Sequence, residues 1–527
     1  MKKILNFTFV FVLIILSVFF SACANHTQLV TVTDKKKMEE KVEKESPEDS
    51  EEPENPEDSD DPEDPEDPEE EGEGEEDDSE EEIEGESGEG GEGTEDTQTT
   101  QDESPEENPE ESPVETPEED PKKQLTLMVY MAADNDLESY ALQNLKMLEQ
   151  GKSGAANVIV LLDRAEGYDE TNGNWTDTRL FEVCRDAGNG SLILSRRLSS
   201  PELGISYDNN TELDMANPYV LKKFIEFCKT NYEAEKYALV IWGHGTGWRY
   251  SAEKAFESFQ EGRAVAIDDK TGSYMTVAEL GKAVRNQGLS VIGFDTCFAG
   301  VFENIYELKD CAEYTVACPG VIPSDGWNYK MLLERIQEAV APTASAETPS
   351  VSGSQNIAEA MAESSSAQVT IFINKQIKAL MRSFEAFSKA LADSIQNQND
   401  RKTVLETLLA SRSYRYFQYP CDLYLDFISM SDLYKDFSDP TLQTAAVNLR
   451  LQSEKAAYSL EQLQPGIGIH FIPLISAHTT ATTHSSEYIK NQNITGQGKF
   501  IQDSLWWVPT LQGNSGSLLD KLFYTSY

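Results

Sequence analysis

The sequence predicts an α/β fold, a parallel-rich sheet flanked by helices, behind an acidic N-terminal segment with no core of its own. Three observations predict it. LTLMVYMAA (125–133), NVIVLLD (157–163), YALVIW (237–242) and VIGF (291–294) are continuous apolar runs, the pattern of strands covered on both faces. Segments of helical spacing separate them, as crossover connections between parallel strands require. The third observation is charge. Of the 94 acids, 44 lie between Glu39 and Asp120, against two lysines, so the rest of a chain of net charge −51 is only mildly acidic.

The N-terminus comes first. Lys2 and Lys3 precede ILNFTFVFVLIILSVFF and then Ser21-Ala22-Cys23, the positive, apolar and small-residue order of a secretory signal. An uncleaved membrane anchor is the alternative, since the run is long enough to span a bilayer. A cysteine after small residues is similar to a bacterial lipoprotein signal, with residues 1–22 as the signal and Cys23 as the lipidated first residue. Phe20 departs from that pattern, which usually has leucine there. Either reading puts the body outside the cytoplasm, and the lipoprotein reading anchors it in a bacterial cell envelope. Residues 23–121 are mostly Glu, Asp, Pro, Gly and Ser, too poor in apolar surface to offset the entropy of ordering. They read as a disordered tether, extended by like charge. Collecting calcium or binding a partner is the alternative. Nucleic acid would be repelled.

Residues 122–335 read as one α/β domain. After the first strand, ESYALQNLKMLEQ has helical spacing, and NVIVLLD is the second core strand. LFEV and LILSRRL read as a hairpin with Gly188-Asn189-Gly190 at its turn. NPYVLKKFIEFCKTNY is an amphipathic helix led in by Asn217-Pro218. YALVIW follows, and then MTVAELGKAVRNQG, a helix opened by a capping box of Thr276 and Glu279. Residues 336–367 read as a flexible insertion, because 341–367 is small and polar. Residues 368–527 read as mostly helical, with GIGIHFIP (466–473) a late strand completing the fold.

In an open parallel sheet the functional crevice lies beyond the carboxyl ends of the strands. Two ends carry reactive residues: Gly243-His244-Gly245 and Asp295-Thr296-Cys297. Of five histidines, His244 alone is flanked by glycines at a core strand end. A thiol needs a base to act as nucleophile near neutral pH, and histidine is the usual partner. The bland alternative is a buried small cysteine beside a satisfied turn histidine. The cysteines show no CxxC pairs, so no zinc site is expected. Residues two apart in a strand face the same way, which points Asp295 and Cys297 into one crevice. A bare carboxylate works against a thiolate, but it suits a cationic substrate side chain that neutralises it on binding. A structural Asp, tying the loop through backbone N–H groups, is the alternative.

These residues lie within MVYMAADNDLE (128–138), VIVLLDR (158–164), ELDMANPYVLKKFIEF (212–227), YALVIWGHGTGW (237–248), AIDDKTGSYMTVAEL (266–280), FDTCFAGVFENIYEL (294–308) and PSDGWNY (323–329). In that order the blocks resemble the clostripain-type cysteine peptidases, relatives of caspases, gingipains and legumains. The resemblance is strong from about 125 to 330 and thin beyond, and it implies a caspase-like fold. It implies His244 as general base and acid, Cys297 as nucleophile, and the N–H groups of Gly245 and Cys297 as oxyanion hole. It also implies an S1 pocket for arginine or lysine built on Asp295; Asp325 and Trp327, which follow a predicted strand end, read as further lining of the same pocket. Thr296 departs from the alanine usual in the family.

In this family the loop between the catalytic strands is often self-cut, which makes Lys254 and Arg263 cleavage candidates; an ordinary surface loop is the alternative. No cofactor is expected to be required, and no metal ligands are assigned. Calcium is allowed by the resemblance, although Asp268 and Asp269 show no EF-hand-like spacing. The partners expected are protein or peptide substrates with Arg or Lys, and a membrane reached through the lipid. The competing readings are a non-enzymatic surface lipoprotein that kept the fold, and a peptidase cutting after Asp or Asn, which Asp295 opposes.

Overall fold

The computed structural model describes residues 122–186, 188, 190–247, 265–340, 353–415, 423–460, 464–471, 500 and 506, all within the unit Ser112–Tyr527. The signal peptide, the tether, Cys23, and the cleavage candidates Lys254 and Arg263 lie outside the described residues.

The strands in chain order are β1 (Lys123–Ala133), β2 (Ala156–Arg164), β3 (Arg179–Glu182), β4 (Arg196–Leu198), β5 (Ala234–Trp242), β6 (Ala266–Asp268), β7 (Ser273–Met275) and β8 (Leu289–Asp295). They continue as β9 (Ala312–Ala317), β10 (Thr370–Ile373), β11 (Ser413–Arg415), β12 (Leu423–Asp426), β13 (Ala457–Tyr458) and β14 (Gly468–Phe471). Among the described residues a nine-stranded sheet runs β13-β10-β9-β8-β5-β1-β2-β3-β4. Its centre, β9-β8-β5-β1-β2, is parallel, and β10, β13, β3 and β4 close the edges antiparallel.

The continuous apolar runs follow from burial on both faces. Met128, Tyr130 and Ala132 of β1 join one core with Leu221 and Phe224 of helix Pro218–Asn231. Leu127, Val129 and Met131 join the other, with Leu145 of helix Glu138–Gln150 and Leu332 and Leu333 of helix Tyr329–Val340. Helix starts form where the sequence predicts them. The Asn217 side chain accepts from Tyr219 N–H, and the Thr276–Glu279 capping box is complete at helix Val277–Val284.

Three expectations change. The stretch taken as a flexible insertion contains helix Gly353–Ser364, whose Ile357, Ala358 and Met361 are buried against the sheet, while 341–352 lies outside the described residues. Small side chains hid an ordinary core helix, and the boundary at 336 falls inside helix Tyr329–Val340. The hairpin is present, but its second strand is only Arg196–Leu198. The late strand β14 does not enter the main sheet; it pairs with β12 in a separate sheet ordered β11-β12-β14. That small sheet still touches the loop after β8, because Phe298 stacks on Tyr424 of β12 at 5.6 Å.

Thr276→Ala should lower unfolding stability by about 1 kcal/mol, the usual cost of losing an N-cap, read as a reduced urea midpoint with unchanged slope. An unchanged midpoint would show that the capping box contributes nothing here.

Candidate active site

The site begins with two backbones in contact. β5 and β8 are parallel neighbours with Trp242 opposite Asp295, so the loops carrying His244 and Cys297 leave the sheet side by side. Gly243 N–H donates to the Asp295 carbonyl at 3.4 Å. A Cβ on Gly245 would sit 2.3 Å from the Cys297 carbonyl oxygen and 2.7 Å from Thr296 Cβ. Only glycine allows this approach. Thr296 is thereby explained in part: it is a buried plug filling the space that Gly245 leaves.

Asp295 ends β8, so strand parity does not extend to Cys297; a sharp turn aims the thiol instead. Phe298, directly after it, holds a left-handed φ of 54°, which is strained for a bulky residue. Its N–H donates to Gly320 O at 2.7 Å and its ring lies on Tyr424, which fixes the turn. Among the described cysteines, Cys228, Cys311 and Cys318 are buried and Cys184 is exposed, whereas Cys297 is half-buried. Cys297 Sγ accepts from Ile322 N–H at 3.3 Å. Burial pushes the thiol up, the Ile322 N–H opposes this, and the nearby Asp295 charge adds to the rise. The thiol is therefore protonated at rest and needs a base.

His244 is partly exposed, and its Nε2 lies 2.6 Å from Asp136 Oδ1. That contact holds the Asp136 carboxyl below the usual carboxylate range. With Nε2 engaged as donor, Nδ1 is the ring nitrogen left to accept a proton. Asp136 stands on the loop after β1, next to β5 in the sheet. Asn135 braces that loop: its Nδ2 donates to Ala132 O and Ile267 O, and its Oδ1 accepts from Leu137 N–H. Sequence reading missed Asp136. The signal was the acid in Asp134-Asn135-Asp136 at the end of a core strand.

Asp295 is buried, with Oδ2 accepting from Trp327 N–H and Tyr329 O–H, each at 3.0 Å. Its Oδ1 has no partner among the described residues. Burial pushes its carboxyl up to about 7, the two hydrogen bonds oppose that, and Asp325 adds to the rise. Asp325 is exposed at the rim, where its carbonyl accepts from Asn144 Nδ2 at 3.1 Å. Trp327 does not present its indole as pocket lining. The ring is fully buried against Gly293, and only its backbone N–H reaches Asp295. Tyr329 was not foreseen. The N–H groups of Gly245 and Cys297 have no acceptor among the described residues. Asp134, Asp163 and Asp268 are the acids among the described residues that could hold a metal ion.

The clostripain family profile matches residues 129–494. Clostripain of Hathewaya histolytica is 30% identical over 233 residues, which cover 41% of this chain and 42% of that protein. The match thus spans less than half the length of that relative. Two solved structures overlap loosely. A secreted C11 cysteine protease from Bacteroides thetaiotaomicron, in complex with an irreversible peptide inhibitor, is 15% identical with a TM-score of 0.47, covering 70% of this chain and 98% of that one. An inactive zymogen C11 protease from Parabacteroides distasonis is 16% identical with a TM-score of 0.48, at the same coverages.

Gly245→Ala should leave a folded protein by far-UV circular dichroism, yet reduce hydrolysis of peptide substrates at least about 100-fold, because the added Cβ cannot fit against the Cys297 carbonyl and forces the two loops apart. Hydrolysis within tenfold of the parent would show that the close approach to Cys297 is unimportant.

Proposed function

The chain belongs to the clostripain family, and on that premise we propose that it is an extracytoplasmic cysteine endopeptidase cutting after arginine or lysine. One observation supports this most. A half-buried thiol and a partly exposed histidine stand on touching strand-end loops, and a buried carboxylate with one unpartnered oxygen lies beside the thiol.

In this reading His244 Nδ1 takes the Cys297 proton, and the thiolate attacks the carbonyl carbon of the residue before the scissile bond. The oxygen gains the charge and is received by the N–H groups of Gly245 and Cys297. The imidazolium returns the proton to the leaving amine as the C–N bond breaks, leaving a thioester. Water, deprotonated by His244, then hydrolyses the thioester and restores the thiol. Asp136 is a positioning residue that keeps Nε2 protonated and stabilises the imidazolium, the role of a carboxylate behind a histidine. Asp295 Oδ1 receives the substrate's guanidinium or ammonium, and the charges neutralise each other. The same reading includes self-cleavage at Lys254 or Arg263 and an envelope anchor through lipid on Cys23.

Fluorogenic peptides ending in Arg, Lys, Asp or Asn test it. Cys297→Ala should abolish all turnover; surviving turnover would overturn the nucleophile. Asp295→Ala should cut kcat/KM for Arg and Lys peptides about 100-fold or more while iodoacetamide still alkylates the thiol. An unchanged basic preference would remove Asp295 from the pocket.

Asp136→Asn should lower kcat about 10- to 100-fold with little change in KM. A drop in the variant's thermal stability with kcat unaffected would reduce Asp136 to a structural role.

A pH profile supplies an independent check. Below about 7 free Asp295 holds a proton, and above it the carboxylate is formed. KM for an arginyl peptide should therefore fall as pH rises through about 7, and the fall should vanish in Asp295→Asn. A KM flat across that range in the parent would contradict the charge pairing.

A further inference from the structure

Two thiols lie on either side of one peptide group. β9 ends at Ala317, and the chain that follows, from Cys318 to Ile322, runs against the turn that carries Cys297. Phe298 N–H donates to Gly320 O and Gly300 N–H to Cys318 O, each at 2.7 Å. A Cβ on Gly300 would lie 2.7 Å from Pro319 N, so the two backbones are in contact. Beside this pairing, Ile322 N–H donates to Cys297 Sγ at 3.3 Å. The carbonyl of the same peptide group, Val321 O, accepts from the Cys318 S–H at an S···O distance of 3.8 Å. Cys318 Sγ in turn accepts from Gly320 N–H at 3.4 Å.

A peptide group is planar and trans, so its N–H and C=O point in opposite directions. Holding the Val321 carbonyl therefore decides where the Ile322 N–H points. The segment has use for such a hold. Ile322 is buried, but Val321 is exposed and follows Gly320, whose backbone torsions are the least restricted of any residue.

The direction of that N–H matters most after the thiol ionises. At rest Cys297 Sγ also lies 3.6 Å from Ile322 O, to which the S–H can donate. When the proton leaves, that bond is lost, while the bond from the N–H strengthens because it now meets a charge. A hydrogen bond to the charged form favours that form. Burial and Asp295 both push the Cys297 thiol up, and the Ile322 N–H opposes them.

We propose that Cys318 is a positioning residue for Cys297: its S–H holds the Val321–Ile322 peptide so that the Ile322 N–H faces the nucleophilic sulfur. Cys318 suits the task because burial pushes its own thiol up to about 12, so it keeps its proton while Cys297 ionises. Donation to the carbonyl also polarises the peptide, which makes its N–H a better donor. The ionisable groups near the two sulfurs are Asp295 and, on the adjoining loop, His244 for Cys297, and Tyr414 for Cys318. The inference rests on the reading of Cys297 as nucleophile.

The test treats the full chain with excess iodoacetamide between about pH 6 and 10, and peptide mapping reads the alkylation rate at Cys297 alone. Cys318→Ala should slow that rate about 3- to 10-fold near pH 7, the scale of one hydrogen bond, and leave the plateau at high pH unchanged. Cys318→Ser restores a donor and should recover at least about half of the parent's rate. Equal slowing in the two variants, or a pH profile unchanged in Cys318→Ala, would make Cys318 a packing residue and overturn the proposal. A loss that persists at the plateau would mean that access rather than ionisation had changed, and would also overturn it. Should Cys318→Ala fail to fold, Cys318→Val, which fills the space without a donor, is read by the same criteria. Turnover surviving Cys297→Ala would instead remove the nucleophile, whereas the alkylation profile reads the sulfur whether or not the chain cuts peptides.

Discussion

The close approach of Gly245 to the Thr296–Cys297 backbone is the constraint on which the rest of the site depends. Parallel pairing of β5 with β8 brings the two loops to the same edge of the sheet, but pairing alone leaves them separate. Contact requires a residue without a side chain on one loop and a compact one on the other, supplied by Gly245 and Thr296. The strained turn at Phe298, held by Gly320 and Tyr424, keeps the thiol at that junction. In the proposed mechanism chemistry follows from packing, because His244 and Cys297 can act together only where the loops touch.

Electrostatics then divides the roles. Cys297 sits where burial and a neighbouring carboxylate both favour the thiol over the thiolate. As the proposed nucleophile, such a thiol would stay quiet until a base and a substrate are both present. Asp295 is in a similar state, held up by burial with one oxygen unpartnered. A cationic substrate side chain would relieve both at once, satisfying the carboxylate and removing the charge that opposes the thiolate. In the proposed reading, substrate selection and nucleophile activation would be coupled through one buried oxygen.

Much of this was legible in the sequence because it is local. Strand ends, caps and the His-Gly and Asp-x-Cys blocks are short patterns, and helix Glu138–Gln150 has the limits its spacing predicts. What escaped is non-local or carried by bland residues. Asp136 reaches His244 only because β1 lies beside β5, and Tyr329 reaches Asp295 from a distant helix. Asp134, Asp163 and Asp268 share no spacing that a linear reading would notice. Helix Gly353–Ser364 was hidden by its small side chains, and β10 by its brevity. Trp327 was misread in the opposite sense: an aromatic beside the site was taken for pocket lining, when its backbone N–H makes the contact.

The central claim is that Cys297 attacks and Asp295 selects. It is tested most directly by intact-mass spectrometry after reaction with peptide acyloxymethyl ketones ending in lysine or asparagine, followed by peptide mapping. One adduct should form on Cys297 with the lysine reagent, much faster than with the asparagine reagent, and Asp295→Ala should erase that difference. Labelling at another residue, or equal rates for the two reagents in the unmodified protein, would contradict the account.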